Sequence, residues 1–324
     1  MFFSYQSASV ELQGRWYDTG KSAVTTAAGA YFRCAFRGDL IRLHFDITGN
    51  IDPYPHLYLS LDGGTRFEAP VDKYLLVRTT PGEHTLTVIY KSANEQQARW
   101  YAPLEGKIVF CGFEAEDAGT LARDTRPQME FVGDSITEGI LIDADYHYDN
   151  ENPCVEDRTL QDDSTAGYAW LTAEAMGYRP ILMGYGAVGA THSGSGLVPA
   201  APEAYPYCYE NAPISHKNPE VILVNHGAND RRNRDQYPKC YADLLDVIRK
   251  HNPESKIVCL SPFAGWMDDL LPEIIKNYNE TRGTAIPLIL STGWIPEAPL
   301  HPLRDGHKIV AAHLTEELRK LGIC

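Results

Sequence analysis

The sequence predicts an α/β protein, in which a three-layer α/β/α domain with a parallel sheet follows an all-β sandwich of the jelly-roll kind. Two observations predict this fold class. Up to residue 114 apolar residues alternate with polar ones, whereas after residue 128 short apolar strands alternate with helical segments. A chain of 324 residues is longer than one hydrophobic core usually serves, so we expect two domains, at 1–117 and 128–324.

The first part has the period of half-buried strands. Apolar side chains take every second position at 43–47, 57–61 and 86–90. The Asp-Gly-Gly at 62–64 and the dipeptide Pro81-Gly82 are predicted as turns that bound these runs. Several such strands within about a hundred residues, with no helical period among them, indicate a small antiparallel sandwich or jelly roll.

The second part begins after a polar, non-periodic segment at 116–127, which we interpret as a linker. Ser164 is predicted as a helix N-cap, with Gly177 just past the end of that helix. The predicted elements are strands at 129–132, 181–183, 221–224, 256–260 and 288–290 and helices at 165–176, 237–250, 269–281 and 307–321. This alternation is typical of a parallel sheet covered by helices on both faces, where sites lie at the carboxyl ends of the strands.

Composition narrows the classes of partner. The chain has 44% hydrophobic and 22% charged residues and a net charge of −14, so we expect neither a nucleic-acid nor a membrane partner. Residues 1–16 lack the basic and apolar regions of a signal peptide, which predicts a cytoplasmic protein. The seven scattered cysteines form no CxxC pair and favour free thiols over a zinc site or a disulfide framework. The oligomeric state is left open.

The first strand of the second part ends in Gly-Asp-Ser-Ile-Thr-Glu-Gly at 133–139. A strand that passes through glycine and serine into a helix exposes the hydroxyl of Ser135 above the sheet, beside the free N–H groups of the helix start. The alternative is that Ser135 is only an N-cap, with Glu138 as its capping-box partner.

The next two strand ends carry groups that can donate hydrogen bonds to a negative charge. Gly189 lies in a glycine-rich loop at 184–191, and Asn229 lies in Asn-His-Gly-Ala-Asn-Asp at 225–230. A backbone N–H and an amide side chain directed at one point are suited to hold an oxyanion. The alternatives are an ordinary loop for the former and a turn for the latter.

The last candidate group is a histidine near the C-terminus. His301-Pro302 precedes the last predicted helix, so His301 can reach the serine as a general base. Asp305 and His307 form a rival acid and base pair in the same segment.

The order of these four blocks resembles that of the SGNH (GDSL) hydrolase superfamily, from about residue 129 to the C-terminus. The absence of a GxSxG motif argues against the α/β-hydrolase family. The resemblance implies an esterase, a carboxylic ester hydrolase with Ser135 as nucleophile and His301 as base. It also implies an oxyanion hole formed by the N–H of Ser135, the N–H of Gly189 and the side chain of Asn229. No metal or organic cofactor is implied.

One block departs from the family pattern. The position three residues before His301, usually an Asp in the family, is Ala298, and Glu297 is the nearest acid. Either Glu297 orients His301 or a backbone carbonyl does, which would leave a Ser-His dyad. We prefer His301 to His307 as the base, because His307 matches the family's structural Gly-His, and Asp305 would then cap the last helix.

A sandwich before an SGNH domain resembles the layout of carbohydrate esterase family 2, which implies an acetylated oligosaccharide of the xylan or mannan type as substrate. Asp134, Trp266 and Trp294 are candidate substrate-binding residues, the tryptophans as platforms for sugar rings or, alternatively, as packing residues. The acidic segment at 143–163 is a candidate gate or, by default, a solvated loop.

Three other functions are weighed against this one. A thioesterase or lysophospholipase of the same superfamily does not readily explain the sandwich. A carbohydrate-binding protein with an inactive hydrolase domain conflicts with the presence of Ser135, Asn229 and His301. A metallophosphoesterase lacks its opening DxH motif.

Overall fold

The computed structural model describes residues 1–144, 158–216 and 218–323. The first part of the chain is one highly curved antiparallel sheet with the strand order β3-β4-β9-β5-β8-β6-β7, to which β1, β2 and β10 add at β9 or β5. Its strands are β1 (Phe2–Ser4), β2 (Val10–Gln13), β3 (Tyr17–Asp18), β4 (Ala23–Thr25), β5 (Tyr31–Phe45), β6 (His56–Leu61), β7 (Phe67–Pro70), β8 (Tyr74–Ser92), β9 (Ile108–Glu114) and β10 (Asp117–Ala118).

The alternation of the sequence buries one face of these strands. Phe32, Leu43, Leu59 and Val88 share one core, in which the ring of Phe32 stacks on that of Phe110 at 3.9 Å. The predicted all-β architecture is confirmed. The segment predicted as a linker contributes the short strand β10, which pairs with β5.

The turn predicted at Pro81-Gly82 is wrong. Both residues lie inside β8, and Gly82 pairs with Gly38 of β5 next to an irregularity in the register between Gly38 and Leu40. Proline lacks the N–H that a regular ladder needs, but a β-bulge tolerates it. The proline and glycine therefore mark a bend between two long paired strands.

The second part is a parallel five-stranded sheet with the order β12-β11-β15-β16-β17. Its elements, with a small hairpin formed by β13 and β14, are β11 (Gln128–Gly133), α1 (Ser135–Glu138), α2 (Arg158–Gln161), α3 (Tyr168–Ala175), β12 (Arg179–Gly184), α4 (Ala201–Ala204), β13 (Tyr207–Tyr209), β14 (Ala212–Pro213), β15 (Val221–Asn225), α5 (Tyr237–His251), β16 (Lys256–Leu260), α6 (Leu271–Arg282), β17 (Leu288–Ile289) and α7 (Arg304–Lys320).

Helices cover both faces of this sheet, as the sequence predicts. Successive strand residues point to opposite faces, so Phe131 packs with α3 and α7 while Val132 packs with α5. The carboxyl ends of β11, β12 and β15 lie side by side, because Gly133 pairs with both Gly184 and Asn225.

Two predicted helix caps are wrong. Gly167 precedes α3 without a side-chain cap, and the hydroxyl of Ser164 donates to the carbonyl of Tyr90 instead. Leu303 precedes α7, which begins earlier than predicted, and Asp305 forms an ion pair with Lys308 at 3.0 Å within the first turn. Tertiary contacts decide both helix starts.

The two parts of the chain share buried contacts. The guanidinium of Arg15 and the carboxylate of Glu130 at the back of β11 are 2.6 Å apart and fully buried. Tyr31 lies against Trp170 of α3 with ring centroids 5.7 Å apart. No helix in the described ranges has the length and apolarity needed to traverse a bilayer.

Candidate active site

Ser135 is the first residue of α1, directly beyond β11. The residue that caps this helix is Asp134, whose carboxylate accepts the N–H of Ile136 at 3.0 Å. The capping-box alternative for Ser135 is therefore wrong, and Glu138 instead pairs with Arg99. Because Asp134 provides the cap, the hydroxyl of Ser135 is left for another partner.

That partner is His301. Its Nε2 lies 2.9 Å from Oγ of Ser135, across 166 positions of sequence. Burial lowers the pKa of His301 to about 4, with the charge of Glu95 opposing this effect and that of Arg158 adding to it. The imidazole is therefore neutral near neutral pH and able to accept the serine proton.

The rival histidine lies elsewhere in the hydrogen-bond network. Nδ1 of His307 accepts the N–H of Tyr168 at 3.0 Å, at the start of α3. Burial, with the charge of His301 as the next cause, lowers the pKa of His307 to about 3. His307 thus links α7 to α3, and it is His301 that meets the serine.

The expected third group is not in contact with the base. Glu297 is exposed and makes no hydrogen bond or ion pair with any described residue. Within the described ranges, Nδ1 of His301 also has no hydrogen-bond acceptor, whether a carboxylate or a backbone carbonyl. Among the described residues, Ser135 and His301 therefore form a pair without a third group.

The three expected oxyanion donors differ in how they are engaged. Nδ2 of Asn229 donates to the carbonyl of Val188 at 3.1 Å and to Asp134 at the longer distance of 3.3 Å. The N–H of Gly189 donates to the carbonyl of His192 at 3.1 Å. The N–H of Ser135 has no acceptor among the described residues, so it is the open donor of the three.

Asp230 fixes the loop that carries Gly189, a role that sequence reasoning missed. Its carboxylate accepts the N–H groups of Ala190 at 3.1 Å and Thr191 at 2.8 Å. A Cβ on Gly189 would lie 2.6 Å from an oxygen of Asp230, so only glycine fits there. The Asn-Asp dipeptide at 229–230 carried the signal, but the expected function was assigned to its first member alone.

The β-rich part also reaches the site. Arg99 forms a buried ion pair with Glu138 of α1, and Glu95 forms one with Arg158. A Cβ on Gly186 would collide with the carboxylate of Glu95. No sequence pattern identifies these residues, because each acts through a contact between distant parts of the chain.

The three candidate substrate-binding residues have other contacts. Asp134 is only 2% exposed and serves as the helix cap, which leaves it no surface for a substrate. Trp294 stacks on His313 of α7 with ring centroids 5.3 Å apart, so its indole packs against that helix. Trp266 is half-buried, and the guanidinium of Arg231 lies 3.8 Å from its ring centroid.

A cleft of about 460 Å³ lies beside Asn229, lined also by His192, Arg231 and Arg232. Another cavity, of about 530 Å³, includes Lys256 at the start of β16 and holds none of the predicted site residues. In a parallel sheet a site is expected at the carboxyl ends of the strands, and of these two cavities only the cleft contains a predicted site residue, Asn229. Most of the acidic segment predicted as a gate, at 145–157, lies outside the described residues.

Comparisons with known proteins agree with this geometry. The sequence model of the GDSL-like lipase/acylhydrolase family matches residues 131–309, more than half of the chain. A family two carbohydrate esterase from Cellvibrio japonicus is similar in structure, with a TM-score of 0.79 and 19% identity over 99% of this chain and 97% of that one.

Two further solved structures share the fold. An acetyl xylan esterase from the rumen bacterium Butyrivibrio proteoclasticus matches with a TM-score of 0.78 and 19% identity over 99% of this chain and 98% of that one. A family two carbohydrate esterase from Clostridium thermocellum in complex with cellohexaose matches with a TM-score of 0.73 and 19% identity over 97% of this chain and 100% of that one. No curated protein sequence matches the chain. At these identities the likeness establishes the two-part fold.

Proposed function

We propose that this chain, which belongs to the GDSL-like lipase/acylhydrolase family and is an ester hydrolase, removes O-acetyl groups from oligosaccharides with Ser135 as nucleophile. The main support is the 2.9 Å contact between Oγ of Ser135 and Nε2 of a half-buried, neutral His301. A weakly acidic hydroxyl becomes a competent nucleophile when such a base accepts its proton during attack.

The reaction follows from this pair. Oγ of Ser135 forms a bond with the ester carbonyl carbon while His301 takes the proton. His301 then returns that proton to the departing alcohol, which leaves an acyl-serine. Water, deprotonated in turn by His301, attacks the acyl-serine and releases the acid and the free hydroxyl of Ser135.

The negative charge on the oxygen of the tetrahedral intermediate needs hydrogen-bond donors. The N–H of Ser135 is open, and the amide of Asn229 can exchange its longer bond, to Asp134, for the oxyanion. The N–H of Gly189 would serve once it releases the carbonyl of His192. Loss of one such donor costs about 3 kcal/mol of transition-state stabilisation.

We further propose that the pair works as a dyad. Glu297 is exposed and out of contact with His301. A neutral imidazole needs only an acceptor for its second N–H, which a water molecule can provide. Glu297→Gln is therefore expected to keep most of the activity.

The carbohydrate substrate is inferred from fold and layout. Proteins with this two-part fold include carbohydrate esterases, one of them an acetyl xylan esterase and another in complex with cellohexaose. Asn229, whose side chain reaches Asp134 beside Ser135, lines a cleft of about 460 Å³, a volume that can hold sugar units.

Acetate release tests the proposal. The substrates are acetylated xylo- and manno-oligosaccharides and 4-nitrophenyl acetate, assayed with chelator present. We expect Ser135→Ala to lower kcat by at least about a thousandfold, whereas Ser215→Ala, at an exposed serine of the same part, should leave it unchanged. Full activity of Ser135→Ala would refute the serine mechanism.

The substrates separate the remaining alternatives. Cleavage of the aryl ester alone would keep the serine mechanism but point to a thioester or lipid substrate. If folded protein cleaves none of these esters, the chain is a carbohydrate-binding protein rather than an enzyme of this class.

A further inference from the structure

The cleft beside Asn229 is basic, although the chain as a whole is acidic. The net charge is −14, yet three of the residues that line this cleft are His192, Arg231 and Arg232. Asn229 in turn is within 3.3 Å of Asp134, the residue before the proposed nucleophile. Cationic side chains are thus concentrated next to the reaction centre.

The two arginines have no anionic partner within the described ranges. Neither Arg231 nor Arg232 forms an ion pair or a side-chain hydrogen bond there, and both are exposed. Arg234, two positions further on, is paired with Asp269. In a chain with more acidic than basic residues, two neighbouring unpaired guanidiniums stand out as groups available to a ligand.

His192 also lines the cleft. Its Nδ1 lies 2.7 Å from the carbonyl of Ser193 and its Nε2 lies 2.9 Å from the carbonyl of Asn229. Carbonyl oxygens only accept hydrogen bonds, so these two contacts favour the protonated ring. Burial opposes this charge, but the bonds to the two carbonyls outweigh it and raise the pKa of His192.

Trp266 holds one of the arginines in place. The guanidinium of Arg231 stacks on the indole at 3.8 Å from the ring centroid. Stacking uses the flat face of the guanidinium and leaves its N–H edges free, the edges that match a carboxylate or phosphate. The nearby carboxylate of Asp230 forms no ion pair with either arginine and instead accepts the N–H groups of Ala190 and Thr191.

We propose that this cleft binds an anionic group of the acylated saccharide, a carboxylate or a phosphate, through Arg231 and Arg232. The substrate class is then an acidic, acetylated oligosaccharide, such as one that contains uronic acid units. This inference rests on the proposed function for its acyl chemistry, but its own test is the preference for an anionic over a neutral competitor.

Inhibition of 4-nitrophenyl acetate hydrolysis is the direct test. Unacetylated oligogalacturonate is added as competitor, and its methyl ester serves as the neutral match. We expect the acid to inhibit at least about tenfold more tightly than the ester, the size expected of charge-assisted hydrogen bonds at a partly exposed site. The difference should shrink as salt is added, because salt screens exposed charges.

Variants test whether Arg231 and Arg232 cause the preference for the acid. The double variant Arg231→Gln/Arg232→Gln should abolish the preference for the acid, whereas Arg231→Lys/Arg232→Lys should retain part of it. Arg78→Gln removes the same charge from an exposed position of β8 and should leave the preference intact. Activity of each variant on the aryl ester, measured in the same assay, reports that the protein is folded.

Inorganic phosphate, added separately, distinguishes the two sources of the anion. Inhibition by phosphate as strong as that by the uronate would support the anion site and assign a phosphorylated sugar to it. Equal inhibition by the acid and its methyl ester in the wild type would overturn the inference. The proposed function fails on a different readout, an unchanged rate of ester hydrolysis in Ser135→Ala.

Discussion

In the proposed mechanism Ser135 reacts only if His301 is uncharged, so the environment of the His301 ring sets the pH range in which the enzyme works. A histidine in water has a pKa near 6.5, but burial lowers that of His301 to about 4. Glu95 is close enough for its negative charge to oppose this shift. The balance between desolvation and that carboxylate decides at which pH the base is lost.

We expect kcat/KM on 4-nitrophenyl acetate to fall only as the pH drops through about 4. Activity is lost on the acidic side because only the neutral imidazole accepts the serine proton, and a lowered pKa keeps the imidazole neutral in more acidic solution. The measurement is a pH–rate profile of the wild type.

One neighbouring group must be separated from this effect. Burial, opposed by the hydrogen bond from Ile136, raises the pKa of Asp134 to about 7. An inflection near 7 that disappears in Asp134→Asn belongs to that carboxyl. An inflection near 6.5 that persists in Asp134→Asn would mean that His301 is solvated in the working enzyme.

Residues with a fixed place in the order of strand ends could be predicted from the sequence. Ser135, Asn229 and His301 were found in this way, and the structure brings the first and last within 2.9 Å. Glu95 could not be found, because its effect on His301 depends on a contact between parts of the chain that no motif connects. Glu297 was one of two alternatives for the third group, named for its proximity in sequence, which does not determine where a side chain points.

At the scale of elements, α1 is the part that needs most support. It has four residues, and one helical turn is not stable alone, since nucleation is unfavourable. Asp134 caps its start, and Glu138 at its end pairs with Arg99. The ion pair therefore anchors this helical turn, which carries Ser135, to the β-rich part.

Removal of Arg99 is expected to be strongly destabilising. The side chains of Arg99 and Glu138 are 0% and 3% exposed, so Arg99→Met leaves a buried carboxylate without its counter-charge. Such a loss costs about 3–5 kcal/mol in the free energy of unfolding. Urea denaturation measures it, and kcat should fall as well because α1 is displaced.

The double variant Arg99→Met/Glu138→Gln is the matched control. It removes both charges, so it should recover a large part of the lost stability. If the single and double variants were equally unstable, Arg99 would contribute through packing, for example against the ring of Tyr185, and not through its charge.

The elements themselves were predicted to different degrees. Strand β16 was predicted to the residue and β15 to within one, because continuous apolar runs mark buried strands. The start of α7 was missed by three residues, since no side chain caps it. Pro81-Gly82 was misjudged because proline and glycine mark both turns and bulges, and only pairing with β5 distinguishes the two.

At the scale of the whole molecule, the β-rich part is built into the hydrolase part. Arg15 meets Glu130 at the back of β11, and Lys91 donates to the carbonyl of Thr159 at 2.9 Å. Burial would raise the pKa of Glu130, but His216 and Arg15 lower it to about 2, so the carboxylate is charged and needs its partners. Because these contacts are buried, the β-rich part is not a separable appendage.

We therefore expect residues 128–324 not to fold when produced alone. Glu138 would lose its counter-charge Arg99, and Glu130 would lose Arg15 and keep only His216. A buried carboxylate left without its partner costs several kcal/mol, a large share of the roughly 5–15 kcal/mol that stabilises a typical domain. Circular dichroism and esterase assays on this fragment give the answer. Production of 1–127 and 128–324 as two chains should restore both signals, because the partners return without the covalent link. A fragment 128–324 that unfolds cooperatively and hydrolyses 4-nitrophenyl acetate at the rate of the full chain would show instead that the β-rich part serves only substrate binding.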